Sequence, residues 1–144
     1  MHALIVRPAS AADRAALARL YLASRRHAFH WLPADACALA DFEAATAGEE
    51  ILVAERDGEL LGFASVWLPD SFLHHLFVAP GHLRQGVGRA LLDACAALPG
   101  GCTTLKCLVR NTKALRFYAA QGWRAEAEGG AGDDAWLLLR KQGG

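Results

Sequence analysis

A chain of 144 residues suffices for one compact domain with a single buried core, and slightly more than half of its residues are hydrophobic. Its 15 Lys and Arg balance its 15 Asp and Glu, so the basic footprint of a nucleic-acid binder is not expected, and no apolar run nears the roughly 20 residues of a membrane span. The apolar start is too short for a signal peptide, which leads us to expect a cytoplasmic protein with one domain over residues 1–144 and no nucleic-acid or membrane partner.

Residues 3–7 read as a short strand. Ser10 then offers an N-cap with Asp13 three positions on, close to a capping box, and Leu17, Leu20, Tyr21, Ser24 and Ala28 follow one face of a helix. A weaker helix is expected over 35–46. From Glu50 the period changes: Ile51, Leu52, Val53 and Ala54 form a dense apolar run, Asp57-Gly58 is a two-residue turn signal, and 60–67 is apolar again, which predicts a hairpin. Residues 72–78 extend it to a meander, ended by Pro80-Gly81.

Val87, Ala90, Leu91, Ala94, Cys95 and Leu98 carry the strongest helical period, stopped by Pro99-Gly100-Gly101. Residues 103–109 read as a strand, so 72–109 should form a strand, helix, strand unit with its two strands parallel. A further helix begins at Asn111 and ends near Gln121-Gly122, and 123–128 with 135–139 form a terminal hairpin. The expected fold is α/β, a mixed and mostly antiparallel sheet of about seven strands with about four helices on both faces. Cys37, Cys95, Cys102 and Cys107 have no zinc-like spacing and read as buried thiols, so no metal is expected; the placement of His27 and His30 near a helix end does not suggest one either.

Between the third strand of the meander and the strongest helix lies Val78-Ala79-Pro80-Gly81-His82-Leu83-Arg84-Gln85-Gly86-Val87-Gly88-Arg89. Glycines where a loop enters a helix let backbone amides approach a ligand, and the helix dipole favours phosphate there. The spacing excludes a P-loop, which needs Gly-Lys-Ser/Thr, and a dinucleotide fingerprint, which needs a third small residue where Leu91 stands.

Leu76-Phe77-Val78-x-Pro followed by Arg84-Gln85-Gly86-Val87-Gly88-Arg89 resembles the acetyl-CoA motif of the GNAT superfamily of N-acetyltransferases. Asn111-Thr112-Lys113-Ala114-Leu115-Arg116-Phe117-Tyr118, closed by Gly122-Trp123, is similar to that superfamily's Asn-x-x-Ala-x-x-Phe-Tyr segment. Leu83 departs from the family's Gln or Arg at that place, and Arg84 comes one position late. The resemblance implies that the amides of Arg84, Gln85, Gly86, Val87, Gly88 and Arg89 hold a pyrophosphate. It further implies that Leu76, Phe77 and Val78 pair with the pantetheine arm, that Asn111 helps hold that arm, and that Tyr118 protonates the departing sulfur. Acetyl-CoA would be the co-substrate and a primary amine, free or on a protein, the acceptor of a direct transfer. A CoA-binding regulatory module without turnover is the alternative, and a homodimer is compatible with either. Lys113 and Arg116 could reach phosphate or simply face solvent.

A lysine-like amine also needs a base, and His74 and His75 precede Leu76. Regular alternation puts His74 on the face of Leu76 and Val78, and His75 with Leu73 and Phe77, which favours His74 as the catalytic base unless a bulge swaps the faces. Phe29, Trp31 and Trp67 could line an acceptor pocket or belong to the core.

Overall fold

Among the described residues, apolar runs punctuated by turn residues give seven strands in one mixed sheet. β1 (Ile5–Pro8), β2 (Glu50–Arg56), β3 (Glu59–Trp67) and β4 (Phe72–Val78) are antiparallel neighbours. β5 (Thr104–Leu108) runs parallel to β4, and β6 (Trp123–Gly129) and β7 (Trp136–Lys141) complete the sheet antiparallel. The α-helices among the described residues are α1 (Arg14–Ala28), α2 (Val87–Ala96) and α3 (Thr112–Ala120). The structure, a computed structural model, describes residues 3–28, 42, 44, 46–79, 81 and 85–142. The helix expected over 35–46 falls mostly outside them, with only Phe42 and Ala44 seen as helical.

The local signals act where they stand. Asp57 and Gly58 both adopt positive φ, 56° and 82°, the left-handed pair that matches the twist of a two-residue hairpin. The Asp13 carboxylate accepts the Ser10 N–H at 2.7 Å, so the capping partner is in place, although the chain first makes a short 3₁₀ turn over Ala11–Asp13. The same carboxylate takes two hydrogen bonds from Arg7, whose Nε donates to Glu55 at 2.7 Å; this ties β1 to the helix entry and to β2.

The central strands of the sheet are covered on both faces. α1 covers β3 and β4 on one side over Tyr21, Phe42, Val53 and Phe63, while α2 lies on β2, β3 and β4 on the other, with α3 beside it against β6. That second core gathers Leu61, Leu73, Val87, Leu91, Leu105, Tyr118 and Trp123. α2 can seat closely because Gly62 lies beneath it: a Cβ there would come 2.7 Å from the Phe77 carbonyl oxygen and 3.1 Å from Val87 Cγ1. Cys95, Cys102 and Cys107 are free, buried thiols, as expected, while Cys37 lies outside the described residues. One arrangement was not legible beforehand: the last strand, β7, docks on β5 and leaves β6 at the edge. No helix among the described residues is long and apolar enough to cross a membrane.

Candidate active site

β4 is regular at neither of its edges. On the β3 side Ser65 pairs with His75 but Val66 pairs with Leu73, so His74 is the extra residue of a β-bulge. On the β5 side the parallel ladder consists of Phe72–Thr104 and Leu73–Leu105 and ends there. The strands therefore part at the same place where β4 is bulged. Beyond it Leu76 and Val78 join the core under α2, and Phe77 joins the core under α1.

The bulge corrects the face assignment made from regular alternation. Leu73, not His74, shares the face of Leu76 and Val78. His74 and His75 lie side by side, with ring centroids 3.9 Å apart, and both meet Glu49, the residue just before β2. The pairing of His75 with Phe77 holds: their rings stack at 5.8 Å beside Tyr21 and Phe63. His74 Nδ1 is 2.6 Å from Glu49 Oε2. A carboxylate can only accept, so the Nδ1–H donates to it and Glu49 fixes which way the ring faces. His75 is buried, and its Nδ1 is hydrogen-bonded to the Ser65 hydroxyl at 2.7 Å. Glu49 was missed in the sequence because it stands 25 positions from His74 and no motif links them.

The glycine turn lies at the other end of β4. Gly86 caps α2 with φ 82°, a left-handed conformation that suits glycine, and leaves the first amides of the helix, those of Val87, Gly88 and Arg89, without carbonyls in a preceding turn. Gly88 is fixed by packing: a Cβ there would stand 3.2 Å from the Phe117 ring. No acidic residue occupies the first turn of α2. An anion would therefore meet donors and a favourable dipole, and the turn fits a phosphate-bearing ligand. Gln85, Gly86 and Arg89 are exposed around it, while Leu83 and Arg84 lie outside the described residues. Arg56, at the end of β2, brings Nη1 to 3.5 Å from Gln85 Oε1 and has a buried Nε with no hydrogen-bond partner among the described residues; this second missed residue is again non-local.

α3 brings the remaining candidates. Asn111 is its N-cap, with Oδ1 accepting the Ala114 N–H at 3.3 Å, so part of its side chain is committed to the helix. Tyr118 is buried, edge-on to Trp123 at 6.1 Å. Burial first, and then the thiols of Cys107, Cys102 and Cys95, hold its phenol well above the usual tyrosine range, so it stays protonated. Phe117 and Tyr118 both join the core under α2, whereas Lys113 and Arg116 face solvent. Tyr118 thus lies in the core on one face of the sheet, and His74 stands beside His75, whose ring packs with the aromatics on the other. Trp67 is 40% exposed beside Gly48, not part of the core, and Phe29 and Trp31 lie outside the described residues, as do the side chains of His27 and His30.

Residues 47–125, just over half of the chain, match the acetyltransferase (GNAT) domain family. The chain belongs to the GNAT acetyltransferase family. It is 39% identical over 69 residues to the peptidyl-lysine N-acetyltransferase YiaC of Escherichia coli (strain K12), a match covering 48% of this chain and 46% of YiaC, so it spans about half the length of that relative. A GCN5-related N-acetyltransferase structure (aminotransferase, class-II) from Rhodopseudomonas palustris superposes with a TM-score of 0.76 at 27% identity, over 95% of this chain and 94% of the other. PaiA N-acetyltransferase from Thermoplasma acidophilum, solved in complex with coenzyme A, shares the fold with a TM-score of 0.78 at 15% identity, over 97% and 99% of the two chains. These likenesses bear out the GNAT resemblance and the mixed α/β sheet expected from the sequence.

Proposed function

We propose that this chain forms a single catalytic domain that moves the acetyl group of acetyl-CoA directly onto a primary amine, with Tyr118 and His74 serving the two proton transfers. The observation that carries the reading is the coincidence at His74 of the β4 bulge and the end of the β4–β5 ladder. It gives a slot with an ordered strand on one side and a carboxylate-oriented imidazole at its mouth.

In this reading the α2 amides and Gly86 hold the pyrophosphate, with Arg56 and Gln85 at its flank, and Leu76, Phe77 and Val78 align the pantetheine arm. The acetyl carbonyl lies at the Val78 end of that strand, where a backbone donor would meet the negative charge that develops. His74 Nε2 takes the proton of the attacking amine, and Glu49 holds the ring through Nδ1 and stabilises the imidazolium that forms. Tyr118 gives a proton to the departing thiolate from the opposite face, and burial keeps its phenol in the protonated form that this role requires. A lysine-like amine of pKa about 10.4 costs roughly 4 kcal/mol to deprotonate near pH 7.5, so the base matters most for such acceptors. A lysine side chain is the first acceptor to try, because YiaC is named for one. Direct transfer calls for no metal, and the buried thiols suit a reducing cytoplasm.

A panel of amines, including a lysine peptide, incubated with acetyl-CoA and followed by thiol release tests the reading. Turnover on at least one amine is expected. Binding of CoA without thiol release from any amine would instead leave a regulatory module.

A further inference from the structure

We propose that Glu49, His74 and His75 form a binding site for a divalent cation of the zinc class. One donor atom from each of the three lies within 4.8 Å of the others. Ligand atoms around a tetrahedral zinc with bonds of about 2.0–2.1 Å stand about 3.4 Å apart. The separations, 2.6 Å from Glu49 Oε2 to His74 Nδ1 and 3.8 Å from Glu49 Oε1 to His75 Nδ1, bracket that spacing, so small side-chain rotations close the site, with the Ser65 hydroxyl giving up its bond to His75 Nδ1.

A second observation points to a ligand. The Glu49 side chain is 7% exposed, and its Oε1 is buried with no hydrogen-bond partner among the described residues. An unsatisfied buried carboxylate oxygen is costly, and a cation between it and the two imidazoles would satisfy it. Two imidazoles and one carboxylate select zinc, nickel or cobalt over magnesium and calcium, which prefer all-oxygen shells. The bulge creates the site, since without it the two histidines would face opposite sides of the sheet. This also explains why the sequence suggested no metal: the donors follow no spacing, and a backbone irregularity assembles them.

The cation would take the place of the His74 Nδ1 proton. The neutral ring then carries its proton on Nε2, and that nitrogen can no longer accept one from an amine. This inhibitory consequence rests on the reading of His74 as base; the binding itself does not.

Calorimetric titration of the full chain with Zn²⁺ alone, and separately with Mg²⁺, tests the site. Saturable binding of one Zn²⁺, weakened at least about tenfold in Glu49→Gln and in His74→Ala and absent for Mg²⁺, is expected. His74 is partly exposed, so His74→Ala retains a folded chain even if variants at buried His75 do not. Cadmium NMR separates this site from the buried thiols, because nitrogen and oxygen ligands give resonances far from those of thiolates. No saturable Zn²⁺ binding at millimolar ion, unchanged affinity in both variants, or a thiolate-type cadmium signal would each overturn the proposal. Turnover is read separately: Zn²⁺ that binds as described but leaves the rate on a lysine-like amine unaltered removes the base role of His74 and leaves the metal site standing.

Discussion

His74 and His75 are adjacent, yet they carry different burdens. His74 is partly exposed and oriented by Glu49, while His75 is packed among Tyr21, Phe63 and Phe77 and bonded to Ser65. We therefore expect His74→Ala to lower kcat/KM most at low pH and with high-pKa amines, and His75→Ala chiefly to lower the thermal midpoint; pH–rate profiles of both variants on a lysine-like and a low-pKa amine decide between them. Equal and pH-independent losses would remove the base role. For Tyr118→Phe we expect kcat to fall roughly 10- to 1,000-fold with acetyl-CoA affinity nearly unchanged, in the range of a lost general acid. Steady-state kinetics with a direct binding measurement would return Tyr118 to a purely packing role if turnover were unaltered. The histidine pair was visible in the sequence, but its geometry was not: alternation assumes an unbroken ladder, and the extra residue in β4 is a property of its pairing with β3.

At the scale of elements, the features legible in advance were those whose causes lie within a few residues. The Asp57-Gly58 hairpin, the period of α2 and the Gly86 turn are local, whereas Glu49 beside His74 and Arg56 beside Gln85 depend on how strands come together. The α2 entrance gives a sharp test. Gly86→Pro cannot adopt φ 82°, and Gly88→Val drives a side chain into Phe117, so neither variant should show the rise in thermal midpoint that CoA gives the parent. At a ligand concentration of 100 Kd that rise is about 2.7 kcal/mol, on the order of 10 °C, and a retained shift in a folded variant would mean that the turn does not hold the phosphates. The entry to α1 offers an acid-side test. Arg7 first, then the Ser10 amide, hold the Asp13 carboxyl well below the usual carboxylate range. A folded pKa depressed in this way contributes stability that is complete above the unfolded value of about 3.9 and is lost as pH falls toward the folded one. Asp13→Asn should therefore be less stable than the parent near neutrality, with the gap closing below about pH 4 in urea titrations run across pH. A gap independent of pH would assign the effect to packing.

Across the whole molecule, the sheet is two well-laddered parts joined by a two-pair parallel ladder between β4 and β5. A ligand lying in the gap beyond Leu73 would bridge both parts, which is why CoA should steady the whole fold and not only its loop. The order of the last strands has a consequence for how the chain is made. β6 is synthesised before β7, yet its one neighbour in the sheet is β7, and β7 also supplies the second edge of β5. During synthesis β6 therefore has no lasting place in the sheet until β7 has followed it out of the ribosome. Until then β5, which forms one wall of the gap, carries an open edge. When β7 arrives it slides in between two strands that were already made, and the wall of the gap loses its open edge only then.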